Sequence, residues 1–370
     1  MDKKKILIVC KTFYPDISPR SFRATELAKE LASEGYDVTV LTSRNNPDHI
    51  WIESKYGFVI KDLGKTHWKN PNFGKSKIGY FFTRAFYRFL SIFFEYPSLE
   101  YTFMVKKYLK NEIGYDLLIS IAAPYAIHWG VAKAKEKNRL LTKTWVADCG
   151  DPFLFRDIDT FSKPFYFKYI DKWFLSKPDY ISIPVESAKN AYNYKYHEKI
   201  VIIPQGFKFN ASLRLSKKRN IRPTFAYAGT FIPRFRDPRP FLDFLSDLKN
   251  DFCFIVFTRD GRLIQPYKDK LKDKLIINTY VSRDALMKTL VSMDFLVNFD
   301  NNTSTVVPSK LIDYALTGKP ILNVEKLMNE KVIQQFFKGD YSSSMKIKNL
   351  DQYRIENVCK QFIKLIEDEG

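Results

Sequence analysis

The feature that most constrains the fold of this chain is an alternation of short apolar runs with segments of helical periodicity. Residues 6–9 form a continuous apolar run, which is typical of a strand buried on both faces of a parallel sheet. Apolar residues then recur at helical spacing over 24–32, with Ser21 as the expected N-cap and Gly35 as the C-terminal stop. The next strand is predicted at 38–41, so the chain opens with a right-handed βαβ unit.

The alternation continues and then restarts after an irregular basic segment. In the first half, further strands are predicted at 117–121, 144–147, 180–184 and 201–203, with a helix at 187–194. In the second half, strands are predicted at 225–228, 252–257, 275–278, 295–298 and 320–324, with a helix at 241–248. Two successive halves of this kind predict an α/β protein with two Rossmann-like domains. We expect a first domain over 1–208, a linker over 209–221 and a second domain over 222–370, whose last helix is a candidate to pack back on the first.

The composition indicates which partners the protein could bind and in which compartment it is expected. The 370 residues include 60 Lys and Arg against 41 Asp and Glu, which gives a formal net charge of +19. That surplus suits nucleic acid, anionic lipid or phosphorylated substrates. The four cysteines lie far from one another and from the histidines, so no zinc-site pattern is present and a reduced, cytosolic setting is expected. No apolar stretch of about 20 residues predicts a membrane span.

The most specific motif is the string Val-Pro-Ser-Lys-Leu-Ile-Asp-Tyr-Ala-Leu-Thr-Gly-Lys-Pro-Ile at 307–321. It predicts a loop that leads into a helix with an open N-terminus at Ser309 and Lys310. Such a helix end offers unpaired N–H groups and a positive dipole to an anion. Asp313, about one turn later, could accept hydrogen bonds from vicinal ribose hydroxyls. The alternative is an ordinary capped helix that ends at Gly318.

This string resembles the nucleotide-binding motif of GT-B glycosyltransferases, particularly glycosyltransferase family 4. Segments at 26–32, 202–206 and 227–230 are also similar to that family, so the resemblance covers nearly the whole chain. It implies a GT-B fold, in which two Rossmann-like domains face an interdomain cleft. A nucleotide-diphosphate sugar would bind to the second domain and the acceptor to the first, and the sugar would be transferred with retention of its anomeric configuration.

The resemblance assigns several donor contacts to the 307–321 motif. Ser309, Lys310 and Leu311 match motif positions at the donor, and Asp313 matches a glutamate that contacts the nucleotide ribose in the family. A second family glutamate, eight positions earlier, falls on Thr305. This chain therefore lacks the usual carboxylate at the donor sugar.

Further donor contacts are expected around the first strand of the second domain. Gly229 follows that strand, where a glycine allows the backbone to approach a phosphate closely. Arg234 and Arg236 follow it and suit a pyrophosphate, and Arg236 is the better match to the basic family position. The alternative is a solvated basic loop.

Val281 matches a position beside the base in relatives, although core packing explains it equally well. No metal is expected if arginines and helix N–H groups stabilise the leaving nucleotide.

Candidate catalytic residues follow strands of the first domain. Asp148 and Asp151 come after the predicted strand at 144–147, and carboxylates at such strand ends face the ligand crevice. Asp151 is the preferred acid or base and Asp148 the second candidate; either could instead cap the next helix. Arg20, in the first loop, is a candidate acceptor or anion contact, or a plain surface arginine. His128 is a third catalytic candidate, with a satisfied structural histidine as the alternative.

Two further features are an aromatic segment at 78–110 and an Asp-x-Asp string at 157–159. Residues 78–110 combine many aromatic side chains with Arg84 and Arg88, which fits an interfacial helix on an anionic bilayer. The alternative is a first-domain helix whose aromatic side chains fill the core. The Asp-x-Asp string at 157–159 belongs to metal-dependent transferases of another fold, so we do not assign it to a metal.

The resemblance to GT-B glycosyltransferases, taken with these observations, implies a hexosyltransferase-like enzyme of cell-envelope polysaccharide synthesis. Its expected partners are a nucleotide sugar, a glycan or polyprenyl-linked acceptor, and the inner face of an anionic membrane, where it would bind peripherally from the cytoplasm. One alternative is a GT-B sugar-nucleotide epimerase, which would need no acceptor surface. Another is a basic nucleic-acid-binding protein, which would explain the charge. The charge is spread along the chain and no recognition motif is present, so no nucleic-acid partner is expected.

Overall fold

The computed structural model describes residues 3–44, 46–68, 77–154, 163–209, 220–233, 235–279, 281–300 and 310–367. The chain divides into two compact units: Met1–Lys208 together with Gln352–Gly370, and Phe209–Asp351. Several predicted positions lie outside the described residues: Arg234, Thr305, Ser309, the Asp-x-Asp string at 157–159 and residues 210–219 of the predicted linker.

The first unit is built on a parallel sheet. Its strands are β1 (Lys5–Cys10), β2 (Asp37–Thr42), β3 (Val59–Asp62), β4 (Tyr115–Ile121), β5 (Thr142–Asp148), β6 (Tyr180–Ile183) and β7 (Ile200–Ile202). They pair in parallel in the order β3-β2-β1-β4-β5-β6-β7. Its helices include α1 (Pro19–Ser33), α2 (Asp48–Tyr56), α3 (Lys77–Phe94), α4 (Glu100–Leu109), α5 (Ala126–Lys135) and α6 (Phe167–Leu175). The order reverses between β1 and β4, and ligands of such sheets bind beyond the strand ends at that point.

The central strand explains why this sheet is covered on both faces. Along β1, Ile6 and Ile8 belong to one hydrophobic core, and Leu7 and Val9 belong to the other. Side chains alternate between the faces of a strand, so a continuous apolar run requires packed helices on each side.

Two local predictions for the first unit are wrong. Helix α1 begins at Pro19, and its N-cap is Ser18, whose Oγ accepts a hydrogen bond from Ser21 N at 3.2 Å. Proline suits the first helical turn because its missing N–H would have no helical partner there. The helix predicted at 187–194 is instead two 3₁₀ segments, Glu186–Ala191 and Tyr194–Lys199.

The second unit repeats the architecture with a smaller sheet. Its strands are β8 (Thr224–Ala228), β9 (Cys253–Phe257), β10 (Leu275–Asn278), β11 (Phe295–Phe299) and β12 (Ile321–Val324), paired in parallel in the order β10-β9-β8-β11-β12. Its helices include α7 (Arg239–Asp247), α8 (Lys268–Leu271), α9 (Arg283–Leu290), α10 (Lys310–Leu316) and α11 (Glu330–Phe337). The order reverses between β8 and β11, so the loops after these two strands are where a ligand of this unit is expected.

The chain returns to the first unit at its end. Helix α12 (Ile355–Lys364) contributes Val358, Cys359 and Phe362 to the core that also holds Leu27 and Leu31 of α1. Burial of these apolar side chains fixes the C-terminal helix on the first sheet.

Every phenylalanine of helix α3 is exposed. The exposed phenylalanines, with exposed fractions from 37% to 68%, are Phe81, Phe82, Phe86, Phe89, Phe93 and Phe94. The alternative in which these aromatic rings fill the core is therefore wrong. Within the described residues, no helix has both the length and the apolar character needed to cross a membrane.

Candidate functional site

The strongest candidate site lies in the second unit, around the loop that follows β8. Arg236 is held there by a tight loop, because Ile232 O accepts from Arg236 N at 2.8 Å and Arg236 O accepts from Ile232 N at 3.2 Å. The Arg236 Nε is buried and has no hydrogen-bond partner among the described residues. A buried guanidinium nitrogen without a partner is costly, and an acceptor from a ligand would satisfy it.

Lys310, at the start of α10, supplies a second buried nitrogen. Its Nζ lies 4.2 Å from the centre of the Tyr227 ring and also lacks a hydrogen-bond partner within the described part of the chain. Burial, together with the positive charge of Arg236, lowers the pKa of Lys310 well below its usual value. The Lys310 amine and the Arg236 guanidinium therefore interact without a counter-charge among the described residues, and an anion bound there would favour the charged form of the lysine.

Tyr227 and Gly229, at the end of β8, lie next to Arg236 and Lys310. The Tyr227 hydroxyl donates to Thr230 O at 3.1 Å, and burial raises its pKa to about 12. Gly229 has a φ of +152°, and a Cβ there would approach the Tyr227 Oη to 3.0 Å. The position requires glycine for both reasons. Gly229, Arg236 and Lys310 were predicted from the sequence, whereas the Tyr227 ring beneath the lysine was not.

Asp313 lies in α10, one turn after Lys310. Its Oδ1 accepts from the Nη2 and Nε of Arg283 at 2.7 Å and 2.9 Å. Burial raises the pKa of Asp313, and the Arg283 charge opposes that rise. Arg283 was not predicted, because the 30 residues between the partners give no local signal. A ribose hydroxyl that bonds to Asp313 would share the carboxylate with this arginine.

Leu311 and Val281, the other predicted donor contacts among the described residues, differ in which atoms a ligand could reach. The Leu311 side chain is buried in the core, which leaves only its backbone for a ligand. Val281 is half-buried, immediately before the Ser282 N-cap of α9. Both observations are compatible with the predicted contacts and also with core packing.

In the first unit, Arg20 and Asp151 form one candidate pair. The Arg20 Nη2 donates to Asp151 Oδ2 at 2.9 Å, and both side chains are partly accessible. The Arg20 guanidinium lies over Gly150, because a Cβ at that glycine would fall 1.5 Å from the Arg20 Nη1. The structure therefore brings together two of the predicted residues, and the glycine between Asp148 and Asp151 makes room for their contact.

Asp148 has a different environment. It is 3% exposed, and Arg23 donates to its two oxygens at 2.8 Å and 3.1 Å. The Ser182 hydroxyl adds a third hydrogen bond at 2.7 Å. Burial would raise the pKa of Asp148, but the Arg23 charge and these hydrogen bonds hold it below its usual value. A fully bonded buried carboxylate favours a structural role for Asp148.

His128 is also fully buried. Its Nδ1 lies 2.7 Å from the Ser120 Oγ, which in turn accepts from Trp145 Nε1 at 2.8 Å. Burial lowers the pKa of His128 to about 3, so the ring is neutral at physiological pH. This environment favours the alternative of a satisfied structural histidine.

Asp171, on α6, is a titratable group that was not predicted from the sequence. Burial raises its pKa to about 7, and its charge acts on Tyr125, Cys149 and Tyr192 nearby. A carboxyl group that titrates near neutral pH is suited to acid–base chemistry. Within α6 it stands between Ile170 and Lys172, so nothing local in the sequence reveals its burial.

Metal binding was the remaining possibility for these side chains. The described residues contain no group of three or more His, Cys, Asp or Glu that could hold a metal ion. The expectation that no metal takes part stays a prediction, since the Asp-x-Asp string is not among the described positions.

Comparisons with known proteins bear on the fold. No protein-family model matches the sequence, and no curated protein matches it. Among solved structures, a glycosyltransferase from Rickettsia africae is similar over 100% of this chain and 99% of its own, with 13% identity and a TM-score of 0.63. The apo form of WaaB, a lipopolysaccharide outer core galactosyltransferase, is similar over 99% of this chain and 100% of its own, with 12% identity and a TM-score of 0.61.

A UDP-N-acetylglucosamine 2-epimerase is similar over 100% of this chain and 97% of its own, with 12% identity and a TM-score of 0.55. At such identities the likeness is informative about architecture rather than chemistry. The two parallel Rossmann-like sheets and the full-length likeness to these structures confirm the predicted fold class: the chain has the GT-B fold.

Proposed function

We propose that this protein is a glycosyltransferase that uses a nucleotide-diphosphate sugar as donor. The observation that carries the proposal is a pair of buried cationic nitrogens in the second unit, Arg236 Nε and Lys310 Nζ, that have no hydrogen-bond partner among the described residues. They lie where the strand order reverses between β8 and β11, which is the ligand position of open α/β sheets. A pyrophosphate would supply the negative charge that they lack.

The reaction follows from what such a pair does to the leaving group. The bond between the anomeric carbon and the diphosphate oxygen breaks, a bond to the acceptor hydroxyl oxygen forms, and the hydroxyl proton passes to a base or to the diphosphate. Negative charge develops on the diphosphate as it leaves. Fixed cations in a desolvated site stabilise that charge without reorganisation, usually the largest contribution to such catalysis. In this proposal Asp313 holds the ribose, Val281 packs beside the base, and no metal is required.

The first unit would hold the acceptor and the acid–base group. Asp151 is the proposed catalytic carboxylate, because it is partly accessible and Arg20 orients it at 2.9 Å. Asp148 and His128 are buried and fully bonded, so we propose them as supports for that loop. The resemblance to family 4 supports retention of the anomeric configuration and hexosyl transfer, and both belong to the proposal.

We further propose that the acceptor is a glycan or polyprenyl-linked glycan of the cell envelope, met at the inner face of a membrane. The exposed phenylalanines of α3, with Arg84 and Arg88 on the same helix, support peripheral contact with an anionic bilayer. Four unpaired, buried cysteines suit a reducing, cytoplasmic setting.

The epimerase is the second candidate function, and its full-length likeness in fold to the 2-epimerase supports keeping it. An epimerase acts on the nucleotide sugar alone and would have no use for an exposed aromatic helix. The basic nucleic-acid-binding protein has less support, since the positive charge is spread along the chain and the two nitrogens that lack a hydrogen-bond partner among the described residues are buried.

One experiment separates these functions. The full chain is incubated with a panel of nucleotide-diphosphate sugars, with and without a mixture of polyprenyl-phosphate-linked sugars and soluble oligosaccharides. Free nucleoside diphosphate and sugar configuration are followed by NMR. A transferase releases the diphosphate only when an acceptor is present. Inversion of a sugar centre without acceptor would identify an epimerase, and neither release nor inversion with any donor would overturn the proposal.

A further inference from the structure

A polar cavity lies in the first unit, and neither Arg20 nor Asp151 is among its lining residues. It has a volume of ≈ 270 Å³ and opens where β1 and β2 end. Its walls include Lys11, Thr12 and Tyr14 after β1, Ser43 and His49 after β2, and Tyr101 from α4. This volume is near the lower limit of small-molecule sites, about 300–1,000 Å³, so it fits a single sugar-sized group rather than a chain or an acyl tail.

The hydrogen-bonding groups of the cavity favour a ligand that carries hydroxyls. The Nε2 of His49 lies 2.6 Å from the Tyr14 carbonyl oxygen, which can only accept, so Nε2 carries the proton. The His49 Nδ1 is then an acceptor, and it is buried without a partner among the described residues. The Ser43 hydroxyl donates to Gly64 O at 2.9 Å, which leaves its lone pairs available. Both groups can accept a ligand hydroxyl.

The charged groups favour an anion as well. The charged residues that line the cavity are two lysines, Lys11 and Lys65, and one carboxylate, Asp16. The Lys11 Nζ lies 5.5 Å from the centre of the Tyr101 ring. Displacement of water by the surrounding protein lowers the pKa of Lys11, and Asp16 opposes that effect. A phosphate beside Lys11 would favour its charged form and compensate for the lost hydration.

We infer that this cavity binds a phosphorylated sugar unit of the acceptor, with Lys11 on the phosphate and His49 and Ser43 on the sugar hydroxyls. The inference rests on the proposed function, because it names the class of acceptor that the first unit would hold. The phosphate has two chemical sources. In a lipid-linked sugar it is attached to the anomeric carbon, and in a phosphorylated glycan it is attached to another carbon.

The test measures binding to the full chain by calorimetry and by ligand-observed NMR. The probes are glucose 1-phosphate, glucose 6-phosphate, glucose and inorganic phosphate. We expect one sugar phosphate to bind more tightly than glucose and phosphate alone, and its identity distinguishes the lipid-linked from the glycan source. Lys11→Gln should weaken that binding roughly tenfold or more, as expected for a lost charged hydrogen bond. Lys107→Gln, an equal charge change on the exposed side of α4, should leave it unchanged.

A nucleoside diphosphate added to the same samples separates this inference from the proposed donor site. Sugar phosphate that remains bound in its presence supports a distinct cavity, and sugar phosphate that is displaced overturns it. Equal binding of glucose, equal binding of inorganic phosphate, no binding of either sugar phosphate, or unchanged binding in Lys11→Gln would also overturn the inference. Failure to bind any nucleoside diphosphate would overturn the donor proposal instead and leave these results interpretable.

Discussion

At the scale of single residues, Lys310 links ligand binding to a cost in stability. Its buried Nζ sits beside Arg236 without a described counter-charge. Lys310→Met should therefore raise the free energy of unfolding by about 1–2 kcal/mol, because it removes an amine whose charged form is disfavoured by burial and by Arg236. The same substitution should weaken nucleoside diphosphate binding about tenfold or more.

Thermal unfolding and calorimetry check both effects in one variant. Lys288→Met, at an exposed position of α9, is the control and should change neither. A less stable Lys310→Met protein, or one that binds nucleotide normally, would contradict the assignment of Lys310 to an anion site.

Asp151 is expected to act in turnover rather than in donor binding. Asp151→Asn keeps the size of the side chain and a hydrogen-bonding oxygen near Arg20. It should leave nucleotide affinity unchanged and lower the transfer rate by about 10²–10⁴-fold, the usual contribution of a general acid or base. Calorimetry and a diphosphate-release assay measure the two quantities. Normal turnover would remove Asp151 from the mechanism and direct attention to Asp171.

Asp171 should make stability depend on pH. Its pKa is raised to about 7, so between about pH 4 and pH 7 the folded chain keeps a proton that the unfolded chain releases. Stability from this group therefore falls as pH rises through that range. Asp171→Asn should raise the unfolding temperature more at pH 8 than at pH 5, whereas Asp37→Asn, at an exposed position, should not. An equal shift at the two pH values would contradict a raised pKa.

Which residues of the site can be found from sequence depends on whether their signal is local. Lys310 and Gly229 stand in recognisable strings, so their positions were predictable. The pairing of Asp313 with Arg283, and that of Asp148 with Arg23, join segments 30 and 125 residues apart. Such contacts, and the burial they produce, depend on how strands are ordered in the sheet, which no local pattern encodes.

At the scale of elements, continuous apolar runs predicted strands well, whereas short segments of mixed polarity did not. Strand β11 was predicted to within one residue, because it is buried on both faces. Strand β3, at the sheet edge, has only four residues with mixed polarity, and it was missed together with α2 before it. Ser18 and Ser21 are equally good caps by residue type, and the fixed φ of Pro19 decides between them.

Helix α3 is the element with the clearest expected behaviour. Replacing Arg84 and Arg88 with Glu should release the protein from anionic vesicles, because each basic residue adds about 1 kcal/mol near such a surface. The measurement is co-sedimentation with vesicles of increasing anionic lipid content, at low and high salt. Wild-type binding should rise with anionic lipid and fall with salt.

A control with the same change in charge isolates α3 from net charge. Lys288 and Lys331 are exposed on helices of the second unit, and replacing both with Glu should preserve vesicle binding. If the α3 variant still sediments fully, or if wild-type binding ignores lipid charge, the helix has no role at a membrane.

At the scale of the whole molecule, two parallel sheets with reversed strand order create two places where ligands are expected. In the second unit that place holds Arg236 Nε and Lys310 Nζ, two buried nitrogens without a hydrogen-bond partner in the described part of the chain. In the first unit it holds the Arg20–Asp151 pair, and a separate polar cavity opens where β1 and β2 end. The proposed transfer from a nucleotide donor to an acceptor rests on these different side chains in the two units rather than on the fold alone.

Calorimetric titration of the full chain with UDP, GDP, ADP and dTDP tests the central claim most directly. At least one diphosphate should bind the wild-type protein, and Arg236→Gln should weaken it about tenfold or more, since it removes a charged donor from a buried site. Arg262→Gln, at an exposed arginine of the same unit, should bind as the wild type does. No binding of any diphosphate, or equal affinity in the Arg236 variant, would contradict the account.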